Sequence, residues 1–282
     1  MISELKLESC TDVLLFGTMG NIGPVVRDDF VSHGLSVRLV DFPQNTLRDE
    51  PGYRRELRKV LERCQAGCLM PIGSQLALAG MRAELPADLA VPVENVGKLA
   101  LLDDKVRCSE LAAYLGIPQP VIYRDADDVR TFPVIFKRAS SFGGSGVYRP
   151  RSREALQRLM AHEPGGRFLI EELIDGDDYS VDVVRWHGYT RFGCYKTLSQ
   201  RGHGPSVERM CVSFPKLGEL ALRILEYLDY NGVCGMDFRV DCDGNLFFLE
   251  CNPRFTGGIE TQIENGFDIP YILYQCIYNI IH

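Results

Sequence analysis

The chain has 282 residues, 45% of them apolar and 24% charged, an ordinary globular balance that excludes a largely disordered protein and suits about two domains. Its net charge of −7 excludes a general nucleic-acid coat and leaves room for a local basic pocket around an anion. No apolar run approaches the ~20 residues of a bilayer-spanning helix, and Glu4, Lys6 and Glu8 near the start are unlike a signal peptide, so a cytoplasmic protein with no membrane or nucleic-acid partner is expected.

In the first hundred residues strand and helix patterns alternate. Asp12–Gly17 is a short apolar strand, Asn21–His33 a helix closed by Gly34, and Ser36–Val40 a second strand ending at Asp41. Tyr53–Arg63 reads as an amphipathic helix, Gly67–Met70 as a strand and Ser74–Glu84 as a helix. Such alternation predicts a parallel sheet with crossover helices. Asp104–Leu115 reads as a helix with Asp104 as N-cap and Gly116 just past its end, and Pro118 and Pro120 then break the pattern. Beyond them the strands lengthen and read as antiparallel: Phe132–Arg138 and Phe168–Ile174, then a hairpin of Tyr179–Trp186 and Tyr189–Thr197 turning at His187-Gly188. A second hairpin joins Gly232–Asp241 to Leu246–Cys251, and a helix from about Ile269 ends the chain. An α/β half is thus followed by an α+β half.

Three segments carry chemistry. Lys137 ends an apolar strand and is followed by the small-residue loop Ala139–Gly146, containing Ser140, Ser141, Gly143, Gly144, Ser145 and Gly146. Backbone N–H groups of such a loop can face phosphate oxygens, with the lysine as a point charge; the loop lacks the Gly-Lys-Ser/Thr of a Walker A motif. Next come Glu171, Glu172, Leu173 and Ile174, then Asp178 after a turn at Gly176. A strand-edge carbonyl there can accept from an adenine amine, and a carboxylate can take ribose hydroxyls. Third, Asp237 lies thirteen and fifteen residues before Glu250 and Asn252 on the two arms of the second hairpin, with Arg254 just beyond. Three hard oxygen donors suit Mg²⁺, and a guanidinium beside them suits a carboxylate or phosphoryl group. Taken alone, the segments also read as a flexible turn, a solvated acidic turn and a surface hairpin.

Read in order, they form one set: lysine plus glycine loop, acidic strand, then Asp…Glu-x-Asn-Pro-Arg. That set resembles the ATP-grasp superfamily, in particular its carboxylate–amine (carboxylate–thiol) ligase branch, over nearly the whole chain. The resemblance implies a doubly wound pre-ATP-grasp domain over residues 1–103, then an ATP-grasp domain over 104–282 whose two α+β subdomains clamp ATP, a lid at about 118–178 and a metal and substrate part at about 179–282. It implies that Lys105 and Lys137 contact ATP phosphates under the 140–146 loop, that Glu171 and the backbone of Glu172, Leu173 and Ile174 read adenine, and that Asp178 holds the ribose, where the family more often has Glu. Asp237, Glu250 and Asn252 would bind Mg²⁺, or Mn²⁺ in its place. Arg254 would stabilise an acyl-phosphate transition state or bind the substrate carboxylate. Lys196 is a further candidate phosphate contact, and His203, in the loop Arg201–Pro205, a candidate substrate contact or general base. The partners implied are a small carboxylate and an amine. A carrier-protein thiol as acceptor and a nucleotide-binding module without turnover are the competing readings. The end of the chain soon after the last helix implies that the extra C-terminal modules of larger relatives are absent.

Other features read more plainly. Gly17, Gly20 and Gly23 with Asp41 invite a dinucleotide site, but the spacing is G-x-x-G-x-x-G and equally fits a helix–strand turn or the edge of a substrate pocket. Trp186 reads as packing. Tyr271, Tyr274 and Tyr278 share a helical face, read as core or as a homodimer contact. The ten cysteines are scattered; Cys64 and Cys68 are the nearest pair and nothing completes a zinc set, so reduced thiols are expected.

Overall fold

A computed structural model describes residues 10–17, 20–40, 50–141, 144–163, 165, 167–200 and 206–281. The first sheet is parallel, in the order β2-β1-β3, from β1 (Thr11–Phe16), β2 (Val37–Val40) and β3 (Ala66–Pro71). Helices cover both its faces, as continuous apolar strands require. Val13 and Leu15 of β1 pack with Val26 and Phe30 of α1 (Ile22–Ser32), whereas Leu14 and Phe16 pack with Tyr53 and Leu57 of α2 (Glu50–Leu61). Gly34 takes φ +81° after α1, a conformation that only glycine adopts cheaply. The predicted helix Ser74–Glu84 is divided into α3 (Gln75–Gly80) and a 3-10 turn, Arg82–Glu84. Of the glycine-rich segment, Thr18, Met19 and Asp41 lie outside the described residues.

Two short helices lead out of this unit: α4 (Val96–Asp103) and α5 (Lys105–Tyr114). Asp104 caps α5 as predicted, its side chain accepting from the backbone N–H of Val106 and Arg107 at 3.1 Å each. A four-stranded antiparallel sheet follows, in the order β4-β7-β5-β6, from β4 (Ile122–Tyr123), β5 (Val134–Arg138), β6 (Val147–Tyr148) and β7 (Phe168–Glu172). Its apolar face packs Phe136 and Ile170 against Leu156 of α6 (Arg153–Ala161).

The largest sheet is antiparallel, in the order β10-β9-β8-β11-β12, from β8 (Gly176–Trp186), β9 (Tyr189–Gln200), β10 (Ser206–Val212), β11 (Gly232–Asp241) and β12 (Leu246–Asn252). Both predicted hairpins are present. Trp186 pairs with Tyr189 across a turn in which His187 and Gly188 have φ of 44° and 97°. Val181, Val183, Cys194, Met236 and Phe238 form one face of this sheet, buried against Leu217, Leu220 and Ile224 of α7 (Pro215–Tyr227). The other face is apolar at Val184 and Val233, which join a second buried core, and polar around Ser180, Asp182 and Asp237, where it carries the site.

The chain ends with α8 (Ile259–Glu264) and α9 (Ile269–Ile277), which pack on α1. Tyr274 meets Phe30 edge-on at 5.9 Å, and Tyr271 stacks on His33 at 3.6 Å. The tyrosine face is thus used within the chain, with Tyr278 left 41% exposed. Among the described residues no helix is long and apolar enough to cross a membrane.

Candidate active site

The polar face of the large sheet follows from strand alternation. Asp237 pairs with Ser180 on β8 and with Glu250 on β12, and Gly235 pairs with Asp182 and Asn252. Across β8 and β9, Ser180 opposes Tyr195. Asp178, Ser180, Asp182, Tyr195, Asp237, Glu250 and Asn252 therefore share one face.

Here the three predicted metal ligands meet. Asp237 Oδ1 accepts from Ser180 Oγ at 2.6 Å, and its Oδ2 from Asn252 Nδ2 at 3.3 Å. Burial first, and then the charge of Glu250, push the Asp237 carboxyl up to about 7. Burial also works against the charge of Glu250, but Lys105 and Lys137 outweigh it and hold that carboxyl below its ordinary range. Two carboxylates and an amide oxygen on facing strands, one carboxylate disfavoured by the other, fit a hard divalent cation. Arg254 Nη2 donates to Asn252 Oδ1 at 2.7 Å, so the amide turns its nitrogen to Asp237 and its oxygen to the guanidinium, and it must rotate to offer that oxygen to a cation between the carboxylates.

The lysines reach the same hairpin from outside the large sheet, Lys105 from α5 and Lys137 from β5. Lys105 is buried at the start of α5; its Nζ donates to Ser141 O at 2.8 Å and lies 3.4 Å from Glu250 Oε2. Its backbone N–H donates to Ala139 O at 2.9 Å, tying α5 to the loop behind β5. Lys137 Nζ lies 2.6 Å from Glu171 Oε2, with both side chains at least nine-tenths buried, and donates to Leu249 O at 3.4 Å. Ser140 and Ser141 follow β5, and Gly144 and Gly146 take φ of 77° and 88°; Gly143 lies outside the described residues.

Three other predicted site residues, Glu171, Asp178 and Lys196, are engaged by neighbours within the chain. The Glu171 carboxylate, expected to read adenine, is engaged by Lys137; burial pushes its carboxyl up, against the pull of that lysine. β7 ends at Glu172, so Leu173 and Ile174 continue outside a ladder, where their backbone groups can meet a ligand. Asp178, expected to be a ribose ligand, pairs with Arg239 Nε at 2.8 Å. Lys196 is not brought to the cluster. It opposes Tyr179, on the face that packs against α7, and its Nζ meets Asp177 Oδ2 at 2.5 Å. One step of alternation from Tyr195 separates it from the polar face. His203 lies outside the described residues.

The site also holds residues that sequence reasoning missed. Buried Asp182 accepts from Tyr195 Oη at 2.7 Å, from Thr256 Oγ1 at 3.0 Å and from Gln262 Nε2. Burial raises its carboxyl to about 6 against these donors and against the charges of Arg209 and Arg254. The alternation Ser180-Val181-Asp182-Val183 is the signal that could have found it. Tyr195→Phe removes one donor from this buried carboxylate, and a loss of about 1–2 kcal/mol is expected in a denaturant melt at neutral pH.

The family described as "ATP-grasp in the biosynthetic pathway with Ter operon" matches over residues 166–279. A D-alanine–D-alanine ligase of Neisseria gonorrhoeae is 28% identical over 187 residues, covering 58% of this chain and 62% of its own. The chain therefore spans less than two thirds of that relative. The biotin carboxylase domain of a Hydrogenobacter thermophilus 2-oxoglutarate carboxylase, solved with MgADP, superposes with a TM-score of 0.77 at 18% identity, over 96% of this chain and 70% of that one. An L-amino acid ligase from Bacillus licheniformis superposes with a TM-score of 0.70 at 16% identity, over 94% of this chain and 74% of that one. The fold is an ATP-grasp fold, and residues 166–279 match an ATP-grasp family.

Proposed function

We propose that this protein is an ATP- and Mg²⁺-dependent ligase that activates a substrate carboxylate as an acyl phosphate and couples it to an amine, releasing ADP and phosphate. The observation that carries the reading is the convergence of two buried lysines on the metal-ligand hairpin: Lys105 Nζ lies 3.4 Å from Glu250, and Lys137 Nζ 3.4 Å from Leu249 O. In this reading ATP lies between the four-stranded lid sheet and the large sheet, with residues 1–103 as the flanking pre-ATP-grasp unit. The backbone of Glu172–Ile174 meets adenine, and Asp178 takes the ribose once released from Arg239.

The γ-phosphoryl group of ATP passes to a carboxylate oxygen, giving an acyl phosphate and ADP; the amine then attacks the carbonyl and phosphate leaves. Lys105 and Lys137 offset phosphate charge, and Glu171 holds Lys137 in place. Arg254 faces the reacting carboxylate with a permanent charge and a two-pronged donor. Asp237, Glu250 and Asn252 would hold Mg²⁺, which supplies charge neutralisation at the phosphate oxygens. The chemistry calls for no enzyme nucleophile. The test is ADP release from ATP with a panel of carboxylates and amino acids, with mass spectrometry of the products. Hydrolysis of ATP with no coupled product under any pairing would contradict the ligase reading.

Asp237 adds a pH-dependent expectation. Its folded-state value of about 7 exceeds the ordinary 3.8, so its contribution to stability is full below about pH 4 and is lost as pH rises through about 7. A cation on Asp237 reverses that loss. Mg²⁺ should therefore raise Tm more at pH 8 than at pH 5, by at least about 3 °C, and Asp237→Asn should abolish the difference.

A further inference from the structure

Arg209, on the edge strand β10, has a guanidinium with no place in the mechanism above. It opposes Thr197 on β9, two residues from Tyr195, and so stands on the polar face of the large sheet. Its guanidinium lies over the Tyr195 ring at 5.2 Å, which supports it from below. The ring is fixed in turn by the hydrogen bond from Tyr195 Oη to Asp182 at 2.7 Å. Gly258 leaves the pair room: a Cβ there would stand 3.2 Å from Arg209 Nη1 and 2.6 Å from Tyr195 Oη. Yet Arg209 Nε is buried with no hydrogen-bond partner among the described residues. A buried guanidinium donor without an acceptor costs free energy unless a ligand supplies one. Asp182, the nearby carboxylate, is already taken by Tyr195, Thr256 and Gln262. Arg254, in contrast, is committed to Asn252 at 2.7 Å. Arg254 is thus engaged beside the proposed metal ligands, and Arg209 Nε, near Gly257-Gly258, has no acceptor among the described residues.

We propose that Arg209 binds a second substrate carboxylate, one that stays free while the carboxylate near Arg254 is activated. This deepens the ligase reading and rests on it. The substrate class is defined by that group: together the two substrates carry a carboxylate that the reaction does not consume. It comes either from a dicarboxylic acid that is activated at its other end or from the α-carboxylate of an amino-acid acceptor.

The experiment measures binding by calorimetry in the presence of Mg²⁺ and ADP. The probes are dicarboxylic acids, their half-amides, free amino acids and amino-acid amides, on wild type, Arg209→Met and Arg209→Lys. Wild type is expected to bind a free acid on the order of 10- to 100-fold more tightly than its amide. Arg209→Met is expected to erase that preference, and Arg209→Lys to restore only part of it. Preference within the dicarboxylic series assigns the group to the activated substrate, and preference within the amino-acid series to the acceptor. ADP binding itself should not change in either variant, which separates this proposal from the ligase reading: a wild type that does not bind MgADP overturns the latter. A wild type that binds no carboxylate in the panel, or binds acid and amide alike in both series, overturns the role of Arg209.

Discussion

Glu250→Gln is expected to lower turnover by on the order of a thousand-fold or more while leaving the protein folded. Glu250 lies opposite Asp237 across the β11–β12 ladder and 3.4 Å from Lys105 Nζ, so it joins the proposed metal site to the phosphate lysine. The amide keeps the volume and loses the charge. Lys105 retains its hydrogen bond to Ser141 O at 2.8 Å, and Asp237 loses the neighbouring charge that disfavours its ionised form. Stability should fall modestly, because buried Lys105 loses its carboxylate partner while Asp237 is relieved of a like charge, and cation binding and phosphoryl transfer should fail together. Steady-state ADP release and a thermal melt, read side by side, check this. A variant with wild-type turnover would remove Glu250 from the metal site.

Lys137→Met is expected to have two separable effects. The pair with Glu171, at 2.6 Å and with exposures of 7% and 3%, is buried, so removing the lysine leaves a carboxylate without its partner and costs about 3–5 kcal/mol. The deficit should grow with pH, because the stranded Glu171 can escape it only by binding a proton. Nucleotide affinity should fall by on the order of 10- to 100-fold as well, since the lysine charge is lost from the phosphate site. The double variant Lys137→Met/Glu171→Gln distinguishes the two: it should recover most of the stability and none of the affinity. If the double variant recovered both, Lys137 would be structural only.

The long-range parts of this site were legible because they lie on local signals. Asp237, Glu250 and Asn252 sit on a hairpin whose turn, Cys242–Asn245, is plain in the sequence, and a hairpin's register brings residues thirteen and fifteen apart together. The Asp104 cap and the glycine after each of α1 and α5 were readable for the same reason. What sequence patterns could not give is the face on which a side chain falls across a long strand. Lys196 and Tyr195 are adjacent, and only the register with Tyr179 and Ser180 decides that the tyrosine enters the site and the lysine leaves it. Glu171 illustrates a second limit. Its ion pair joins β5 to β7 across more than thirty residues of intervening chain, and nothing local announces it. Arg209 lies on an exposed edge strand of mixed polarity, Ser206–Val212, where no apolar alternation marks a strand. α7 is a different case: Leu217, Leu220, Ala221, Ile224 and Leu225 have plain helical spacing after Pro215, and the helix was there to be read.

The most direct test of the account is calorimetric titration of the protein with ADP, with and without Mg²⁺. Lysines from α5 and β5 and oxygen-bearing side chains of the large sheet, meeting at Glu250 and Leu249, predict binding that needs the cation and is lost in Glu250→Gln. Affinity for NAD⁺ with none for MgADP or MgATP would contradict the account and return attention to the glycine-rich turn after β1.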